Sequence, residues 1–81
     1  MGSKYPVLTP HQIIKVLTKL GFEKVSQKGS HVKFKKLGNQ TRIVIIPMHD
    51  EVAKGTLKSI LEQAGIDLEE FLKYLPNSFP G

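Results

Sequence analysis

The stretch His31-Val32-Lys33-Phe34-Lys35 alternates polar and apolar residues without a break, and it constrains the fold more tightly than any other feature of the chain. A period of two belongs to a β-strand with one buried face, because successive side chains point to opposite sides. Val32 and Phe34 then face a core, while His31, Lys33 and Lys35 stand together in water. A slip of one residue would bury the charged set, so the pattern fixes the orientation of the strand as well as its existence. The chain needs a sheet with one covered side and one open side, and on this strand the open side is cationic.

The segments around it supply the cover. Thr9-Pro10-His11-Gln12 reads as a helix start, with threonine as N-cap, proline at the first helical position and glutamine placed to close a capping box. Leu8 is set to staple onto Ile13. Ile13, Val16, Leu17 and Leu20 follow a helical stripe until Gly21 ends it, which gives a first helix over about residues 10–20. Residues 22–27 make a short, weakly patterned strand, Lys28-Gly29 a tight turn, residues 31–36 the second strand, Gly38-Asn39 another turn and residues 41–46 a third strand rich in β-branched residues that Pro47 closes. Short connections make an antiparallel meander the economical topology. Leu57, Ile60, Leu61 and Ala64 then mark a second helix over about 55–64, capped by Gly65, and Asp67-Leu68-Glu69-Glu70 opens a short third helix over about 68–75 that Pro76 stops. The expectation is an α+β domain of order α-β-β-β-α with a short extra C-terminal helix, both main helices lying on one face of a three-stranded sheet.

Eighty-one residues make one domain with one small core. We expect residues 1–76 to form it and residues 77–81 to be a flexible tail. With no cysteine, neither disulfides nor a thiolate zinc site can add stability, and a reducing cytoplasm is the natural location. No apolar run approaches the roughly 20 residues of a membrane span, and Met1 to Pro6 lacks the apolar stretch of a secretory signal, so neither membrane insertion nor export is expected. Residues 1–66 hold eleven Lys/Arg against four Asp/Glu, whereas residues 67–81 hold Lys73 against Asp67, Glu69 and Glu70. The folded body is thus the basic part, which favours a polyanion or an acidic protein as partner.

One histidine among lysines on an open strand face has a chemical use. Imidazole titrates near neutrality and can take a proton from a hydroxyl whose phosphate the ammonium groups hold. The Gly29-Ser30 step before His31 adds a glycine that permits a tight turn or close approach of a ligand, and a hydroxyl that can bond backbone or phosphate. The plainer account is that strand lysines blunt edge pairing and the histidine is merely solvated. His49, just past the third strand, is a candidate acid partner only if chain reversal brings it near His31 and is read rather as a connection residue capping a turn or helix; His11, on the first turn of a helix, is read as exposed. No histidine pair has metal-ligand spacing, so no metal and no cofactor is expected. Tyr5 is the aromatic residue placed to stack a base.

Leu20-Gly21-Phe22, Gly29-Ser30-His31, Ile46-Pro47-Met48-His49 and Lys54-Gly55-Thr56-Leu57 followed by Ile60-Leu61-Glu62-Gln63-Ala64-Gly65-Ile66 resemble, in order and spacing, the HicA-type (YcfA-like) toxins, the small ribonuclease half of bacterial toxin–antitoxin pairs. The resemblance covers nearly the whole chain. It implies a double-stranded-RNA-binding-domain-like fold, cleavage of messenger RNA without a metal, and silencing by a HicB-type antitoxin that covers the active surface. It places the catalytic histidine at His31 and the motif glycine at Gly29. Lys54 and Lys58 are the only basic residues at the start of the second helix, where such domains grip duplex RNA, which implies weak duplex affinity. RNA carries its own nucleophile in the 2′-hydroxyl, so His31 as base, with Lys33, Lys35 or Lys28 holding the phosphoryl oxygens, suffices for a slow endoribonuclease. The competing readings are a non-catalytic RNA-binding module using the same face, and a protein-interaction module that recognises an acidic partner.

Overall fold

Thr9 starts the first helix from both sides of its cap. Its side-chain hydroxyl accepts from the Gln12 N–H at 3.3 Å, and its own N–H donates to the Gln12 side-chain carbonyl at 2.8 Å, the reciprocal pairing implied by the sequence. The computed structural model describes residues 5–75, and the C-terminal residues expected to form a flexible tail lie outside them. Six elements follow in order: α1 (Pro10–Lys19), β1 (Glu23–Lys28), β2 (His31–Lys36), β3 (Arg42–Pro47), α2 (Lys54–Ala64) and α3 (Leu68–Lys73). The three strands form one antiparallel sheet in the order β1-β2-β3. The α+β fold with a three-stranded meander and an extra C-terminal helix, of the double-stranded-RNA-binding-domain-like kind, is therefore the one read from the sequence.

β2 runs down the centre with its expected polarity. Val32 and Phe34 are buried together with Val44 and Ile46 of β3, and α1 contributes Ile13, Val16 and Leu17, α2 contributes Leu57, Ile60, Leu61 and Ala64, and α3 contributes Phe71 to the same core. The helices thus complete a core on one side of the sheet. On the other side His31 and Lys33 are exposed, and Ile43 keeps 47% of its surface in water.

Most element boundaries move by one or two residues, Lys28 joining β1 so that the expected Lys28-Gly29 turn is Gly29-Ser30, and two of the shifts have a clear physical reason. β1 begins one residue later than expected, since Phe22 is buried as the anchor that follows α1 while every residue of β1 itself is exposed. No helix covers that strand on its inner side, where Lys24 and Gln27 bond each other at 2.9 Å, so it carries no apolar alternation to read. A bulge between Lys24 and Ser26 breaks its pairing with β2, and such an irregularity also makes an edge a poor template for another strand.

β3 runs one residue further than expected, so that Pro47 is its last member rather than its stop. The Ile45 N–H points away from β2 and donates to the Gln63 side chain of α2 at 3.0 Å. The period of two directs position 47 to the same outer edge, where a residue without an N–H costs no ladder bond.

The start of α1 is tied to the far side of the sheet by an isolated bridge between Leu8 and Val52, with the Val52 N–H donating to the Leu8 carbonyl at 2.7 Å. α2 ends at Gly65, which has φ +77° and gives its N–H to the Leu61 carbonyl at 2.9 Å. The left-handed backbone calls for glycine, and a β-carbon there, 2.6 Å from the Arg42 guanidinium carbon, would also push aside the flexible end of that side chain. Gly65→Ala should lower stability by about 1–3 kcal/mol, read as a reduced urea midpoint with an unchanged slope. An unaltered midpoint would show that neither constraint matters.

Candidate functional site

The hairpin joining β1 to β2 has a loop of two residues, Gly29 and Ser30, between the paired Lys28 and His31. Gly29 has φ +59°, and a β-carbon there would meet nothing within 4 Å. Glycine is therefore needed for backbone conformation and not for lack of room, as in two-residue turns that place a glycine first to match the strand twist. The Ser30 carbonyl accepts the Met48 N–H at 2.6 Å, which carries the β2–β3 ladder one step past the last paired strand residues. This bond holds the turn, and with it the start of β2, against the chain leaving β3.

Directly opposed residues share a face of an antiparallel sheet. On the open side His31 lies between Lys28 of β1 and Pro47 of β3, Lys33 between Ser26 and Ile45, and Lys35 between Glu23 and Ile43. Lys28 and Lys33 are exposed and flank His31 across and along the sheet. Lys35 is half buried and four residues along β2, about 13 Å from His31 at a strand rise of about 3.3 Å per residue. The structure therefore brings Gly29, Ser30, Lys28 and Lys33 to His31, and sets Lys35 one step further along the same cationic row. Lys36, the next residue, leaves this face: its Nζ lies 5.9 Å from the centre of the Phe22 ring on the helix side, a cation–π contact that closes the end of the core.

His49, which the sequence offers as a second histidine but which reads there as a connection residue, is brought to the site. Its ring centre lies 6.5 Å from that of His31, with the planes at 72°. The register accounts for this. His31 opposes Pro47, the last residue of β3, and the bend that follows over residues 49–51 keeps His49 beside the start of β2. Only the pairing of His31 with position 47 reveals the relationship, and strands taken as 31–36 and 41–46 point to a different pairing.

His49 also borders a cleft of about 330 Å³ lined by Thr9, Pro10, His11, Met48 and Asp50. The Leu8–Val52 bridge creates it by holding the first turn of α1 beside the β3–α2 connection. A separate cleft of about 590 Å³, lined among others by Ile14, Phe22, Val32 and Phe34, lies on the helix side under the uncovered β1. The two clefts share His11 and Met48, and neither is lined by Lys28, His31, Lys33 or Lys35. Tyr5, expected to be available for stacking, is half buried against the core. Among the described residues no group of three or more His, Cys, Asp or Glu side chains is placed to hold a metal ion, and no helix is long and apolar enough to cross a membrane.

The arrangement can bind a phosphodiester by charge and take a proton from a hydroxyl beside it. The sequence model of a family described as the HicA toxin of bacterial toxin–antitoxin matches residues 10–66, a span that begins with α1, contains the whole sheet and both histidines of the open face, and ends just past the cap of α2. No curated protein matches the chain. A nuclear Overhauser cross-peak between ring protons of His31 and His49 is expected in solution. Its absence, with the β2–β3 cross-strand peaks present, would refute the register-driven pairing of the two rings.

Proposed function

The chain belongs to the HicA toxin family of bacterial toxin–antitoxin systems, and from that membership we propose that it is a metal-independent endoribonuclease that cleaves messenger RNA in the cytoplasm with His31 as general base. The observation that carries this reading is the position of His31: exposed at the start of the central strand, between Lys28 and Lys33 on the side of the sheet that no helix covers. A ribose can approach from solvent, and the ammonium groups lie where a phosphate attached to it would sit.

In this reading RNA supplies the nucleophile. His31 removes the 2′-hydroxyl proton, the 2′-oxygen attacks the adjacent phosphorus, and the products are a 2′,3′-cyclic phosphate and a 5′-hydroxyl. Lys33 and Lys28 stabilise the charge that grows on the phosphoryl oxygens, the Gly29-Ser30 turn leaves the backbone open to the strand, and Lys35 meets a neighbouring phosphate. Contacts of the last kind position RNA without reading its sequence, which makes the enzyme sequence-relaxed.

Toxin–antitoxin membership implies an antitoxin partner, and we propose a HicB-type protein that covers the open face. Ile43, Ile45 and Pro47 lie on that face beside Lys35, Lys33 and His31. A row of apolar groups along a cationic row suits a protein surface with an apolar centre and carboxylates beside it. A non-catalytic RNA-binding module would use the same basic face.

His31→Ala should lower RNA cleavage by about 10² to 10⁴-fold while leaving the circular dichroism spectrum and salt-sensitive RNA binding in place, and a substrate with one 2′-deoxy sugar at the cut site should resist the wild type. Cleavage that survives either change rules out this chemistry, and a wild type that binds RNA without cleaving it supports the binding-module account. Ile43→Asp should weaken neutralisation by the antitoxin at least tenfold in a growth-rescue titration and leave RNA cleavage unaltered. Equal rescue would place the antitoxin elsewhere.

A further inference from the structure

Removing the 2′-proton solves half of a transesterification. The bond from phosphorus to the 5′-oxygen must also break, and an alkoxide is a poor leaving group unless it receives a proton as it departs. General-base help from one imidazole leaves that second demand unmet. The open face holds a second imidazole in the right vicinity, on a different segment of chain, with its ring centre 6.5 Å from that of His31.

We propose that His49 is the general acid of the reaction, protonating the leaving 5′-oxygen while His31 deprotonates the 2′-hydroxyl; this inference rests on the endoribonuclease reading above. In-line displacement puts the attacking and leaving oxygens on opposite sides of phosphorus, so base and acid must come from two directions. His31 opens β2 just after the β1–β2 turn and His49 lies in the β3–α2 connection, so the two rings, 6.5 Å apart and at 72°, come to the same place from different segments. Allowing about 2.6–3.2 Å for each hydrogen bond, a single phosphodiester lying across the exposed edges of both rings, rather than between them, can have one of its two oxygens reached by each.

The cleft beside His49 supports the assignment of direction. The acid must lie on the side of the departing nucleoside, and it is His49, not His31, that borders the space of about 330 Å³ between Thr9, Pro10 and His11 on one wall and Met48 and Asp50 on the other. The 5′-leaving nucleoside therefore occupies that cleft, with Lys28 and Lys33 on the opposite flank of the phosphate.

The step balances without any co-reactant. His31 starts neutral and His49 protonated. The bond from the 2′-oxygen to phosphorus forms and that from phosphorus to the 5′-oxygen breaks, one proton passing from the 2′-hydroxyl to His31 and one from His49 to the 5′-oxygen. The enzyme ends with the two protonation states exchanged, and proton exchange with water restores them.

His49 is exposed and lies outside every helix and strand, so its replacement leaves the fold intact, which a thermal unfolding curve checks. The test compares wild type, His49→Ala, His49→Gln and His31→Ala on two oligonucleotides: an all-RNA substrate, and one whose bridging 5′-oxygen at the cut site is sulfur, a thiolate leaving group that needs no acid. On all-RNA, both His49 variants should fall by about 10² to 10⁴-fold. On the sulfur substrate they should return to within a few-fold of wild type, while His31→Ala stays low on both. Wild-type rates for the His49 variants on all-RNA, or an equal deficit on both substrates, would overturn the assignment and leave the endoribonuclease reading standing. Failure of the wild type to cleave either substrate would overturn that reading, and the acid with it.

Discussion

Burial of Val32 and Phe34 against Val44 and Ile46 on one side of the sheet is the contact on which the rest of the molecule depends. The two strands meet with these residues opposed, Val32 to Ile46 and Phe34 to Val44, and α1, α2 and α3 close over them. Because side chains alternate, satisfying this core leaves no choice for the intervening residues. His31, Lys33 and Lys35 are turned to the open side by the same geometry that puts Val32 and Phe34 inside. Cationic chemistry and core packing are thus two readings of one six-residue strand, and a register slip would destroy both together.

The open face is left bare by design of the connections. α1 and α2 lie on the core side, and among the described residues no element forms a second layer over the other face. β1 has neither apolar alternation nor a helix above it, and a bulge replaces cover as protection of that edge. At the other edge, the Ile45 N–H of β3 donates to the Gln63 side chain and the strand ends in Pro47. The sheet face between these edges remains accessible to a large ligand or to a protein, which is what both an RNA substrate and an antitoxin require in the proposed function.

The two halves of the proposed site reach each other through backbone bonds. The Met48 N–H on the Ser30 carbonyl and the Val52 N–H on the Leu8 carbonyl fold the chain leaving β3 first against the hairpin turn and then against the approach to α1. His31 sits beside the first of these bonds, and His49 lies between them in sequence. The histidines are eighteen residues apart, so their proximity rests on the fold, and the accuracy of their spacing depends on rigid backbone contacts rather than on direct bonding between the rings.

Much of this was legible in the residues themselves. The α1 cap, the helical stripes, the glycine at the β1–β2 turn and the orientation of β2 follow from local rules: cap chemistry acts over three residues, a strand reveals its faces with period two, and a left-handed position selects glycine. These rules placed Gly29, Ser30, His31, Lys33 and Lys28 before any tertiary contact was considered. β1 and the last residue of β3 were harder to place, because a strand without a buried face carries no alternation and an edge proline looks like a terminator. His49 was visible as a second histidine, but local rules could not say whether it meets His31. In sequence it is one residue of a polar connection, and its position beside His31 exists only once β2 and β3 pair with His31 opposite Pro47. The sequence determined which side chains face the core, since burial is settled by short-range periodicity. The tertiary structure alone decided which distant side chains meet, since that depends on cross-strand register and on how the connecting loops close.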